Sequence, residues 1–271
     1  MRALYGGIPT LLALGLTTAC TESPTSPTRA TTGPTVGIIS QTPPPVPPRA
    51  NPGVATTAVG ATRFLAFGDS ITFGTLSSFD GVFLYDGSPQ AYPARLELGL
   101  KTYHPAQAPA FTVLNRGVPG EGAVEGARRI ASLLATIRPQ ALLVLEGIND
   151  LNSGRSVGQT VSALDTMLDY ARVYNVPAVV ATMFQTYEVE RPNGEHRTNA
   201  AALVPSLNAA IRQMVAGRQN VFVADVHAAF GTNRSLVGGD GLHPTEAGYE
   251  RMATTFMAAI EQAFPVRGTA Q

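Results

Sequence analysis

Five short apolar runs, spaced between residues 63 and 225, constrain this chain more than any other feature. They fall at 63–68, 111–116, 140–146, 177–183 and 220–225 and are rich in Val, Leu, Ile and Phe. Apolar runs without polar alternation predict strands covered on both faces, as in a parallel sheet. Helical patterns fill the intervals at 91–102, 122–137, 156–174 and 199–217, and a last one spans 245–263. In the second of these, Ala127, Ile130, Ala131, Leu134 and Ile137 recur at helical spacing, and Pro139 ends the run. The alternation predicts one three-layer α/β domain over 61–271, built on a parallel sheet of about five strands. Sheets of this type bind ligands outside the carboxyl ends of their strands. The residues just after each apolar run are therefore the informative ones.

Ahead of the domain the composition changes. Arg2 gives a positive start, Ala3 to Leu16 is mostly apolar, and Thr17-Thr18-Ala19-Cys20 follows. The apolar part is shorter than the roughly 20 residues needed to span a bilayer. It reads as an export signal over 1–20. The sole cysteine, directly after Ala19, resembles the lipidation site of bacterial lipoproteins, although Thr17 stands where those usually carry Leu. That resemblance implies a lipid anchor at Cys20 and an extracytoplasmic, membrane-tethered protein. Residues 21–60 hold nine of the 21 prolines, including Pro43-Pro44-Pro45-Val46-Pro47-Pro48. They read as an extended, disordered tether, because proline fixes φ and the segment has little apolar area to bury. With one cysteine, neither an internal disulfide nor a paired-cysteine zinc site can form. Nineteen basic and 19 acidic side chains give no net charge and no electrostatic reason to expect nucleic acid.

Four motifs follow the apolar runs. They are Gly68-Asp69-Ser70, then Asn115-Arg116-Gly117-Val118-Pro119-Gly120, then Glu146-Gly147-Ile148-Asn149-Asp150, and finally Asp240-Gly241-Leu242-His243-Pro244. Acyl transfer needs a hydroxyl, a neutral imidazole to take its proton, an acceptor on the other imidazole nitrogen, and donors fixed for the oxyanion. Ser70, His243 and Asp240 are the residue types for the first three roles. The N–H groups of Ser70 and Gly117 and the Asn149 amide can supply the donors. Taken singly each motif is weak: Ser70 suits a tight turn, and Asn149-Asp150 suits a helix cap.

In this order and at these positions, the motifs resemble the SGNH hydrolases, the GDSL-type esterases and lipases. The matching residues are Ser70, Gly117, Asn149 and His243, and the resemblance runs from about residue 63 to 258. It implies a flavodoxin-like α/β/α fold and hydrolysis of a carboxylic ester without metal or other cofactor. Ser70 would attack, His243 would shuttle the proton, and Asp240 would orient His243. Asp69 is expected to hold the nucleophile loop.

Other readings carry less. Thr72 stands where the α/β-hydrolase elbow G-x-S-x-G needs glycine. Glu125 breaks the dinucleotide spacing after Gly120 and Gly122, and His104, His196 and His227 form no metal spacing. A non-catalytic carbohydrate- or lipid-binding lipoprotein on the same fold is the alternative from a different class. The aromatics Phe79, Tyr85 and Tyr187, in loops after the first and fourth runs, are the candidate substrate contacts. Short-chain esters, lysophospholipids and acetylated carbohydrates stay open as substrates, and so does the oligomeric state.

Overall fold

The computed structural model describes residues 48, 58–77, 82–83, 89–189 and 200–266. The expected export signal at 1–20, Cys20, nearly all of the tether, and Phe79, Tyr85 and His196 lie outside them. The five sheet strands are β1 (Arg63–Gly68), β4 (Thr112–Gly117), β5 (Ala141–Leu145), β6 (Ala178–Ala181) and β7 (Val221–Ala224). Two further short strands, β2 (Leu76–Ser77) and β3 (Val82–Phe83), pair antiparallel outside the main sheet. The sheet order is β4-β1-β5-β6-β7 and every pairing in it is parallel. The three-layer fold with five parallel strands is thus the architecture that the apolar runs predict.

Five long helices cover the sheet: α2 (Tyr92–Tyr103), α3 (Ala123–Ile137), α5 (Val157–Val173), α6 (Ala200–Ala216) and α8 (Glu246–Ala263). Helix α2 packs against α8, while α3 packs against α5 and α5 against α6. The segregation follows from handedness. Parallel crossovers are right-handed, so reversing the direction of strand addition moves the connecting helix to the other face. The chain adds β4 on one side of β1 and then β5 on the other. That reversal puts α2 opposite α3, α5 and α6, and it opens a crevice between the strand ends at β1. Strands β1 and β5 are almost wholly buried, as their uninterrupted apolar sequences require.

Polar side chains inside this core act as staples. Gln107 accepts from the Val59 N–H (2.8 Å) and donates to the Val59 carbonyl (2.9 Å), and Val266 N–H donates to Ala58. Among the described residues the backbone pairing thus reaches back to Ala58, three residues before the expected domain start. Pro205 lies inside α6 and cannot donate to the carbonyl one turn back. The Gln185 amide donates to that carbonyl, on Ala201, at 3.0 Å. Asn208 on α6 is buried and both donates to and accepts from the Met183 backbone, each at 2.7 Å.

Asn208→Ala would leave a buried N–H and C=O of Met183 without partners. A cost of about 2–4 kcal/mol is expected in denaturant unfolding. A loss below about 0.5 kcal/mol would contradict this role.

Candidate active site

Three strand ends lie level at the crevice, because Gly68 pairs in register with both Gly117 and Leu145. The chain leaves β1 and turns at once into the single-turn helix α1 (Ser70–Phe73). Asp69 caps it, with Oδ1 accepting from the Ile71 N–H at 2.8 Å. The turn is tight enough that a Cβ on Gly68 would fall 2.2 Å from both the Leu145 carbonyl oxygen and Thr72 Oγ1. Ser70 is thereby set at the first helical position with its hydroxyl toward the crevice, where it meets His243.

Ser70 Oγ lies 2.8 Å from His243 Nε2, and His243 Nδ1 lies 2.5 Å from Asp240 Oδ2. A carboxylate can only accept, so Nδ1 carries the imidazole proton and Nε2 is free to take the one from Ser70. The second oxygen of Asp240 accepts from the Leu242 and His243 N–H groups at 3.0 and 2.9 Å. Burial alone would raise the Asp240 carboxyl. The hydrogen bond and charge of His243 and these two backbone donors outweigh it and hold the group well below the usual carboxylate range.

The loop carrying this pair is clamped on two sides. Gly241 sits at φ 73°, where a Cβ would be 2.3 Å from the Tyr187 carbonyl oxygen. The Ser77 N–H donates to the Pro244 carbonyl (3.1 Å), and Ser77 Oγ accepts from the Asp240 N–H (3.3 Å). Helix α8 begins directly after the loop, and its Tyr249 hydroxyl donates to the Thr75 carbonyl at 2.6 Å. The nucleophile turn and the acid–base loop are thus tied to each other through Ser77 and Tyr249.

The donors on the far side of Ser70 differ from expectation at one position. The Gly117 N–H is engaged, donating to Asn115 Oδ1 at 2.9 Å. Gly117 is glycine because a Cβ there would fall 2.0 Å from the Phe73 nitrogen. The Asn115 amide in turn donates to the carbonyls of Thr72 (2.8 Å) and Phe73 (3.2 Å), which binds the end of β4 to α1. In the same loop Gly120 turns at φ 80°, and its N–H donates to no group among the described residues. Asn149 is the second residue of the short helix α4 (Ile148–Asn152). Its amide donates to the Glu121 carbonyl at 2.8 Å and lies only loosely against Asp69 Oδ2, at 3.4 Å. Asp150 does act as a cap, for another helix: its carboxylate accepts from the N–H groups of Ala123 (2.5 Å) and Val124 (3.4 Å) at the start of α3.

Tyr187, expected as a substrate contact, packs its ring beneath the Arg234 guanidinium at 4.4 Å and donates its N–H to Gly241. It braces the acid–base loop. His227 lies on the short helix α7 (Val226–Phe230), with its N–H donating to Thr182 Oγ1. A cavity of about 860 Å³ opens elsewhere, at the amino ends of β6 and β7 between Val176, Phe222 and Phe264, and holds none of the triad.

The chain has counterparts among known proteins. The aryl esterase of M. smegmatis is 18% identical, with a TM-score of 0.63 over 75% of this chain and all of that one. The lipase/acylhydrolase of Enterococcus faecalis is 22% identical, with a TM-score of 0.58 over 77% of this chain and all of that one. At such identities these likenesses show the fold. A multidomain esterase of Ruminococcus flavefaciens is 29% identical over 125 residues, which are 45% of this chain. This chain spans only 16% of that relative's length. The model of the GDSL-like Lipase/Acylhydrolase family matches residues 66–251, which include Ser70, Asn149, Asp240 and His243, and the chain belongs to that family.

Proposed function

We propose that this protein is a serine esterase that cleaves carboxylic esters through an acyl-enzyme. The observation that carries the reading is the Ser70–His243–Asp240 relay, with successive contacts of 2.8 and 2.5 Å. Ser70 Oγ attacks the acyl carbonyl while His243 Nε2 takes its proton. Asp240 stabilises the imidazolium without becoming protonated itself. His243 then gives the proton to the departing alcohol oxygen. A water, deprotonated by the same nitrogen, attacks the acyl group and releases the acid and free Ser70. The developing oxyanion is met by the Ser70 N–H and the loosely held hydrogen of the Asn149 amide. The third donor is the open Gly120 N–H in place of that of Gly117, whose N–H is spent on Asn115.

Short-chain esters, lysophospholipids and acetylated carbohydrates fit this chemistry equally, since the motif residues act on the ester group alone. The expected location also enters the proposal. An apolar leader ending at Cys20 supports export and lipid anchoring, with residues 21–60 as spacer.

Two outcomes are expected. Ser70→Ala should cut hydrolysis of p-nitrophenyl acetate or butyrate by about 10³-fold or more with the fold retained, and equal rates would contradict the reading. Cys20→Ser should move the protein from the membrane to the soluble fraction of the producing cell, and an unchanged membrane fraction would overturn the anchor.

A further inference from the structure

Helix α3 carries two adjacent arginines with different surroundings. Arg128 is exposed to solvent. Arg129 is partly buried, and its contacts lie toward the amino end of α3, the direction in which helical side chains lean. Its guanidinium lies over the ring of Phe67, the residue before Gly68 on β1, at 3.9 Å from the centroid. Nε donates to both Glu121 oxygens, at 2.8 and 2.7 Å, and one terminal nitrogen donates to Glu121 Oε1 at 2.5 Å. The same nitrogen donates to the Arg116 carbonyl at 2.9 Å and reaches the Gly68 carbonyl at 3.4 Å. The relay of Ser70, His243 and Asp240 uses none of these contacts.

They bracket one turn. The Glu121 N–H donates to the Val118 carbonyl at 3.1 Å, with Pro119 second in the turn and Gly120 third at φ 80°, the pattern of a type II turn. This turn presents the open Gly120 N–H. Arg129 holds the backbone before the turn, at Arg116, and the side chain of its last residue, Glu121. The Val118 N–H donates to the same Gly68 carbonyl at 2.9 Å, which seats the turn on the end of β1. Glu121 passes the constraint on, because its own carbonyl accepts from the Asn149 amide at 2.8 Å. One guanidinium thus fixes the segments that carry two of the oxyanion donors.

The chemistry needs an arginine. The Glu121 side chain is only 9% exposed, and a carboxylate at that depth requires a cation. A lysine would supply the charge as a point on a flexible stem. It cannot donate in one plane to a carboxylate and a carbonyl while lying flat on Phe67. Hydrogen bonds to an oxyanion strengthen as charge develops on the oxygen, so displaced donors lower kcat more than they weaken substrate binding.

We propose that Arg129 is a positioning residue of the oxyanion side. Its guanidinium sets the Val118–Glu121 turn against Asn149, so that the Gly120 N–H and the Asn149 amide keep a fixed spacing. The inference rests on the esterase reading for its catalytic consequence.

The test compares the full-length protein with Arg129→Lys, which keeps the charge, and with Arg128→Lys as a control. Should Arg129→Lys fold poorly, Arg129→Gln combined with Glu121→Gln removes the pair together, leaves no orphan charge and is read in the same way. On p-nitrophenyl acetate, Arg129→Lys should lower kcat about 10- to 100-fold with KM within about twofold of the parent. The pH midpoint of kcat/KM, set by His243, should stay in place, and Arg128→Lys should match the parent. The Gly120 backbone and Asn149 side-chain amide resonances, identified by their loss in Gly120→Ala and Asn149→Ala, should both shift in Arg129→Lys, while the His243 backbone amide should not. An unchanged kcat would overturn the proposal, and so would a loss carried by KM, a displaced pH midpoint, an equal loss in Arg128→Lys, or Gly120 and Asn149 resonances at the parent's positions. A parent inactive on every ester would contradict the esterase reading alone, because the amide resonances judge the positioning without turnover.

Discussion

The register of β1 against its two neighbours is the constraint on which the rest depends. Gly68 lies level with Gly117 on one side and with Leu145 on the other. Because strand addition reverses there, the helices leave the strand ends uncovered at that point alone. Three loops then start within reach of each other, and each is shaped by close backbone approach. A Cβ on Gly68 or Gly117 would strike the neighbouring turn at 2.2 or 2.0 Å. A one-residue slip in β1 would remove Ser70 from His243 and exchange the side chains that face the two helical layers.

Carboxyl groups near Ser70 are driven in opposite directions by their surroundings. Asp240 accepts from an imidazole and two backbone N–H groups and is held ionised. The Glu146 carboxyl has no hydrogen-bond partner among the described residues, and burial, then the charge of Asp69, push it well above its ordinary value. The first arrangement fixes the imidazole tautomer that the relay needs. Between them sits Asp69, whose Oδ1 caps the nucleophile helix and whose Oδ2 touches Asn149. The residue beside the nucleophile thus connects the two halves of the site, a wider role than holding one loop.

Much of this was legible in the sequence, for identifiable reasons. All five sheet strands and all five long helices lie within two residues of their expected bounds, because double burial and helical periodicity leave strong patterns in runs of this length. The triad was legible because its members close the motifs that follow the first and last of those strands. The single-turn helices α1, α4 and α7 were not, since four or five residues hold too little of a helical period. The β2–β3 pair leaves no sequence pattern for the same reason, having two residues a strand. Gly117 illustrates a different limit. Sequence gives it the freedom of a glycine, but which N–H stays open depends on the Asn115 side chain, whose direction no spacing encodes. Tyr187 shares that limit, since an aromatic in a loop shows its role only through what surrounds it.

The central claim is that Ser70 is a nucleophile activated by His243. Incubation of the full-length protein with a fluorophosphonate, followed by peptide mass spectrometry, tests it most directly. The account predicts a single adduct on Ser70, formed at a rate that falls at least about 100-fold in His243→Ala. An adduct on another residue, or none in protein that hydrolyses esters, would contradict it.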